Sequence, residues 1–149
     1  MPRIPALLIA VSLLIFGNSS FAQFRKIPAE VTDAFKEKFP YSNAVEWKDK
    51  LKLFQANFEM KDEDYIARFN SKGVWQETEK MIEQDKLPAT INESFNNSRF
   101  SDWEVKELSF IEKKDGSELY RILVKKNDIE KRNLFFTKEG KLLKDAITL

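Results

Sequence analysis

The chain carries 24 acidic side chains but no His and no Cys. That combination decides which chemistry is open to it. Without His, the commonest general base and metal ligand is missing. Without either residue, no Ser-His-Asp or Cys-His arrangement can be built, and no disulfide or thiolate metal site can form. Paired carboxylates remain, as in glycoside hydrolysis. The densest group is Glu59, Asp62, Glu63 and Asp64. Oxygen ligands suit calcium, but the spacing departs from an Asp-x-Asp-x-Asp-Gly loop and Lys61 stands inside the group. The remaining acids fall in turns and at alternating polar positions, as solvated surface does. The expectation is a chain that is not an enzyme, with no cofactor and no metal site. The acidic group then reads as a charged hairpin tip that discourages edge-to-edge strand pairing.

Binding is the chemistry left. Phe54, Ala56 and Phe58 alternate with Gln55, Asn57 and Glu59, the period of a strand with one buried face. With the Phe set turned toward a helix, Gln55, Asn57 and Glu59 lie on the opposite, open face, joined by Arg68 and Asn70. In Val74 to Glu79, Val74 and Thr78 share one face and Trp75, Glu77 and Glu79 the other. Val74 turned inward puts Trp75 and Glu77 outward. In the second half Arg121, Leu123 and Lys125 take the same part. The candidate partner surface is therefore Gln55, Asn57, Glu59, Arg68, Asn70, Trp75 and Glu77, with Arg121 and Lys125. Aromatic, amide and charged groups together suit a polar protein–protein interface, and equally an ordinary wet sheet face. Trp47 and Trp103 read as core. In Leu134-Phe135-Phe136, Phe135 cannot share a face with its neighbours. It either fills space between the halves or adds to an exposed apolar patch.

The elements that position these residues follow a pattern met twice. Ile27-Pro28 opens the first half and Leu87-Pro88 the second. Val31, Phe35 and Phe39 fall at i, i+4 and i+8, one buried stripe of a helix. Pro28 stands near its start, where a missing N–H costs least, and Pro40 ends it. Ile91 and Phe95 repeat the spacing. Strand patterns follow each helix, with turns expected at Asp49-Lys50, Lys61 to Asp64, Ser71 to Gly73, Glu112 to Ser117, Asn127-Asp128 and Lys138 to Gly140. Pro28 and Pro88 stand sixty residues apart, Gly73 and Gly140 sixty-seven, so the second half carries about seven extra residues. The expected organisation is helix plus four strands, twice: residues 23–86 and 87–149, with Lys80 to Lys86 as connector. Such a helix covers one face of an antiparallel sheet.

The first residues carry an address. Arg3 precedes the apolar run Ala6 to Phe16, and Ser20-Phe21-Ala22 supplies small residues at a signal-peptidase site. The expectation is a signal peptide over residues 1–22, cut after Ala22, and a periplasmic or secreted protein with no membrane span after cleavage. Lys and Arg number 25, a net charge of +1, which argues against a nucleic-acid partner.

The succession Phe35…Phe39-Pro40…Val45-x-Trp47, Phe54-x-Ala56-x-Phe58, Tyr65-x-Ala67-x-Phe69, Gly73-Val74-Trp75-x-x-Thr78-Glu79 and Leu87-Pro88 resembles the PepSY-like family, described as beta-lactamase-inhibitor-like. The second half departs from it at Leu142, where Trp75 has no counterpart, and at Phe100-Ser101 in place of Phe39-Pro40. The resemblance implies an α+β fold: a tandem repeat of helix plus four-stranded antiparallel sheet, like the beta-lactamase inhibitor protein. It implies a non-catalytic exported module that binds and restrains another envelope or secreted protein, such as a hydrolase, through an open sheet face. The competing expectation is a periplasmic sensor or carrier for a small ligand or metal. The binding module would have a protein partner, the carrier a small ligand or metal.

Overall fold

Pro28 opens the first element. Its extended backbone precedes helix α1, Ala29–Lys38, which buries Val31 and Phe35 and carries Glu30 in its first turn and Lys36 and Lys38 in its last. That charge order complements the helix dipole at both ends. Phe39 leaves helical geometry, donates its N–H to the Phe35 carbonyl, and Pro40 prevents continuation. Helix α2, Ala89–Asn96, starts the same way after Pro88 and buries Ile91 and Phe95. The computed structural model describes residues 26–148; the expected signal peptide over residues 1–22 lies outside them.

Four strands follow α1: β1 Asn43–Lys50, β2 Leu53–Met60, β3 Glu63–Asn70 and β4 Trp75–Met81. Four more follow α2: β5 Glu104–Lys113, β6 Glu118–Lys125, β7 Lys131–Thr137 and β8 Leu142–Thr148. All eight form one antiparallel sheet in sequence order. The architecture is α+β, with both helices against one sheet. The central seam pairs β4 with β5, from Glu77 opposite Lys113 to Met81 opposite Ser109. Strand β4 takes in Lys80 and Met81, so the connector is shorter than Lys80 to Lys86 and contains a single 3-10 turn, Gln84–Lys86.

Two cores form beneath the helices. Under α1, Phe35 meets Phe58 and Trp47 edge-on at 5.0 and 5.3 Å between centroids, and Phe54, Ala56, Ala67 and Phe69 complete the cluster. Under α2 the core is more aliphatic: Leu87, Ile91, Leu108, Ile122, Val124 and Leu134, with Phe95, Phe100 and Phe136. Each such side chain, fully buried, contributes about 1.5–3 kcal/mol. Trp103 packs edge-on against Phe100. Trp47 and Trp103 both lie against core, as read from the sequence.

Each helix rests on a glycine. Gly73 has φ +74, and a Cβ there would overlap the Glu30 carbonyl of α1. Gly140 has φ +86, and a Cβ would overlap Ser94 and stand 2.9 Å from the Thr90 carbonyl of α2. The extra length of the second half is spread over three connections: residues 97–103, 114–117 and 126–130 exceed 39–42, 51–52 and 61–62.

Two turns differ from expectation. Asp49 and Lys50 close β1, opposite Phe54 and Leu53, and the chain reverses at Leu51-Lys52. Turning there keeps Trp47 opposite Ala56 on the helix side. Leu51, at φ 50, is not a residue that signals a left-handed turn. The second reversal is tighter than Lys61 to Asp64. Lys61 and Asp62 alone make it, at φ 55 and 60, with Met60 opposite Glu63. Two left-handed central residues match the twist of the flanking strands.

Candidate functional site

The face of the sheet away from the helices forms a trough of about 770 Å³. Lys50 at the β1 edge and Leu143, Lys144 and Thr148 on β8 line the same hollow, so the sheet curves until both edges frame it. The floor comes from alternation. Ile66 and Arg68, Glu77 and Glu79, Ile111, Leu119 and Arg121 point away from the helices, as Phe135 does on β7.

A network of charges runs through the floor. Arg68 donates from Nε to Gln55 Oε1 at 3.2 Å, from Nη1 to Glu77 Oε1 at 2.6 Å and from Nη2 to Glu79 Oε2 at 3.1 Å. Arg121 donates from Nε to Glu79 Oε1 at 2.5 Å, from Nη1 to Asn133 Oδ1 at 2.9 Å and from Nη2 to Glu107 Oε2 at 3.0 Å. The Ser109 hydroxyl donates to the same Glu79 Oε1 at 2.7 Å. The chain of bonds continues outward, from Gln55 to Asn57 on one side and from Asn133 to Thr148 on the other. It spans β2 to β8.

Glu79 is the pivot. It sits on β4 at the seam and is 2% exposed. Its direct cross-strand neighbours are Ile66 and Ile111, which shut water out. Burial pushes its carboxyl up, but Arg121, the Ser109 hydroxyl and Arg68 outweigh that and hold it below the usual carboxylate value. Among the described residues no buried side-chain nitrogen or oxygen lacks a partner. A half-satisfied network would cost more than an apolar floor. Its acids Glu77, Glu79 and Glu107 are all engaged with arginines. No group of three or more acids that could hold a metal occurs among the described residues.

The candidate surface residues are dispersed accordingly. Gln55, Arg68, Glu77 and Arg121 meet in the trough. Asn57 touches it through Gln55. Asn70 accepts the Lys72 and Val74 N–H groups and braces the β3–β4 turn. Lys125 reaches Asp128 in the β6–β7 loop at 2.7 Å, and Glu59 lies exposed near the opposite end of β2.

Trp75 is a correction: it faces the helix. Its ring packs on the first core, its Nε1 donates to Thr78 Oγ1 at 2.9 Å, and Lys38 Nζ of α1 stands 3.9 Å from the ring centroid. The cause is a bulge. Phe69 pairs with Trp75 while Arg68 pairs with Glu77, so Gln76 is the extra residue. One extra residue reverses strand parity on either side of it. The same irregularity recurs at Leu143, between the Phe136–Leu142 and Phe135–Lys144 pairs. Phe135 alternates with Leu134 and Phe136, which face the core under α2, and contributes to the open trough.

Sequence reasoning left Glu79, Ser109, Asn133 and the three lysines 50, 113 and 144 out of the surface. Parity with Glu77 carried a signal for Glu79, and parity with Arg121's strand neighbours one for Asn133. The register that joins Glu79 to Ser109 and Arg121 carried none.

Three solved structures are similar. A DUF2874 family protein from Bacteroides ovatus ATCC 8483 is 28% identical, with a TM-score of 0.73 over 82% of this chain and 88% of that one. A Bacteroides eggerthii DSM 20697 protein described as "putative periplasmic" is 24% identical, with a TM-score of 0.74 over 82% and 89%. A BLIP-like protein from Bacteroides fragilis NCTC 9343 is 21% identical, with a TM-score of 0.70 over 85% and 89%. The last two share the fold. No curated protein matches the chain. Residues 52–144, from the β1–β2 turn into β8, match the family described as "Putative beta-lactamase-inhibitor-like, PepSY-like", and the chain belongs to that PepSY-like family.

Proposed function

We propose that this protein is a non-catalytic module of the bacterial envelope that holds another protein against the trough of its sheet. One observation carries the reading. Among the described residues an entire face of the eight-stranded sheet is left without a covering layer, and the arginines and glutamates at its centre are locked to one another. Pre-organised polar groups beside half-exposed apolar ones suit a partner that docks without reordering the site. The family description and the BLIP-like fold support restraint of a secreted or envelope protein, a hydrolase among the candidates. The expected signal peptide and the likeness to a protein described as periplasmic support export.

The volume also falls in the range of small-molecule pockets, which favours the second reading, a small-ligand carrier. Such sites enclose most of their ligand, whereas Leu143 at this trough's margin is 52% exposed. The trough therefore fits a macromolecule better. We also infer that residues 23–86 and 87–149 are two copies of one unit. The matching glycines, bulges and helix stripes support this.

The test is cross-linked capture from envelope extract by the immobilised protein, repeated with Phe135→Glu and Leu143→Glu. A partner held by the native protein and lost from both variants supports the reading. A partner retained by both removes the trough from it. A bound metabolite in native mass spectrometry would favour the carrier.

A further inference from the structure

The charges that line the trough are unequal. Arg68 and Arg121 are engaged with Glu77 and Glu79. Three further cations, Lys50, Lys113 and Lys144, line the same hollow and make no ion pair among the described residues. No acid besides Glu77 and Glu79 lines it. The whole chain, by contrast, is almost neutral, at +1. The cationic excess is concentrated in one concavity. Lys50 ends β1 and Lys113 ends β5, so both stand where their strands run into the next hairpin. Ile111, Leu119, Phe135 and Leu143 line the same hollow.

We propose that the trough takes an acidic, amphipathic segment of a partner protein in extended form, its carboxylates meeting Lys50, Lys113 and Lys144 and its apolar side chains meeting the half-buried Leu119 and Phe135. This rests on the open-face reading above and specifies the partner's chemistry. The dimensions agree. Strands spaced about 4.8 Å apart make an eight-stranded face about 34 Å across. An extended chain covers that distance in about ten residues. Lysines at the margin of a dry floor attract opposite charge and reject like charge, so they set which segment enters.

Three peptides of about a dozen residues test this. They share their Leu and Phe positions and differ only in carrying Glu, Gln or Lys between them. Affinity is read by fluorescence anisotropy and the site by amide shifts of the isotopically labelled protein. The Glu peptide is expected to bind about tenfold or more tighter than the Gln peptide at low salt, with shifts centred on Leu119 and Phe135. That advantage should shrink as salt is raised. The combined Lys50→Glu, Lys113→Glu and Lys144→Glu variant should lose it, while Lys72→Glu, on the β3–β4 turn, should keep it. Melting temperatures of both variants check that the fold is intact. Equal binding of all three peptides at Leu119 and Phe135 would overturn the acidic preference and leave the open-face reading standing. Shifts elsewhere, or none with any peptide, would overturn both. A Glu-peptide advantage that survives the triple variant would overturn the role of the lysines.

Discussion

On the helix side of the sheet, Phe54, Phe58 and Phe69 are sealed by α1, and Ile122, Leu134 and Phe136 by α2. On the other side of the same strands, Gln55, Glu79, Ser109 and Arg121 are nearly as inaccessible, yet they are polar and no helix among the described residues covers them. The helix side gains its stability from area removed from water, which is non-directional and tolerates exchange of one apolar shape for another. The open side gains little net stability from its charges, because desolvating an ion pair offsets most of its attraction. What the open side gains is a fixed arrangement. Every oxygen of Glu79 is committed, and the two arginines are held in place. Burial here has two uses: one face holds the fold and the other holds a shape.

Truncating one residue on each side of the sheet has the largest expected effects. Phe69→Ala should cost about 3–5 kcal/mol in urea unfolding, because α1 and the strands around it cannot collapse into the space. Removing Glu79 as Glu79→Gln should cost about 3 kcal/mol, because two guanidiniums then face a neutral amide in a dry floor. Replacing the whole set as Arg68→Met, Glu79→Leu and Arg121→Met should recover most of that loss. Recovery would show that the network specifies the surface more than it stabilises the chain. Failure to recover would make the two faces equivalent in stability.

The glycines sharpen the same contrast. Gly73→Ala and Gly140→Ala should each cost about 2–3 kcal/mol in thermal unfolding, since a left-handed backbone is combined with overlap on a helix. Gly116→Ala, at φ +79 with nothing near its Cβ position, should cost only about 1 kcal/mol. A smaller effect is expected from acid. The native state holds Glu79 as a carboxylate below the usual value. On acidification the unfolded chain takes up its proton first, so the contribution is complete above the unfolded value and is lost as the pH falls through the folded one. Chemical denaturation across the acid range should show this slope, and Glu79→Gln should flatten it. The smallest effect is Phe135→Ser, at most about 1 kcal/mol in the same assay. A larger loss would mean that Phe135 belongs to the core.

Much of this was legible in the chain. The i, i+4 stripes at Val31–Phe35 and Ile91–Phe95, the prolines before them and the alternation in β2 each point to one local structure, because helix and strand periods are properties of a few neighbouring residues. The absence of His and Cys excluded whole classes of catalysis. The open-face residues Gln55, Arg68, Glu77 and Arg121 followed from parity alone. Parity failed at Trp75 because Gln76 is a bulge, and a bulge is visible only when two strands are counted against each other. Leu51 hid a turn for a similar reason: the register of Trp47 with Ala56 outweighed the preference of a Leu for ordinary backbone.

The sequence by itself determined the elements, their order and the type of residue on each face. Tertiary structure alone decided that all eight strands join at a β4–β5 seam, that the sheet curves until β1 and β8 frame one trough, and that Glu79 is the buried centre of its floor. Ser109, Arg121 and Glu79 are separated by up to 42 residues, and nothing local brings them together. Pairing between distant strands does. That pairing is set by the sum of many contacts across the sheet, and no single residue or short run of the chain contains it.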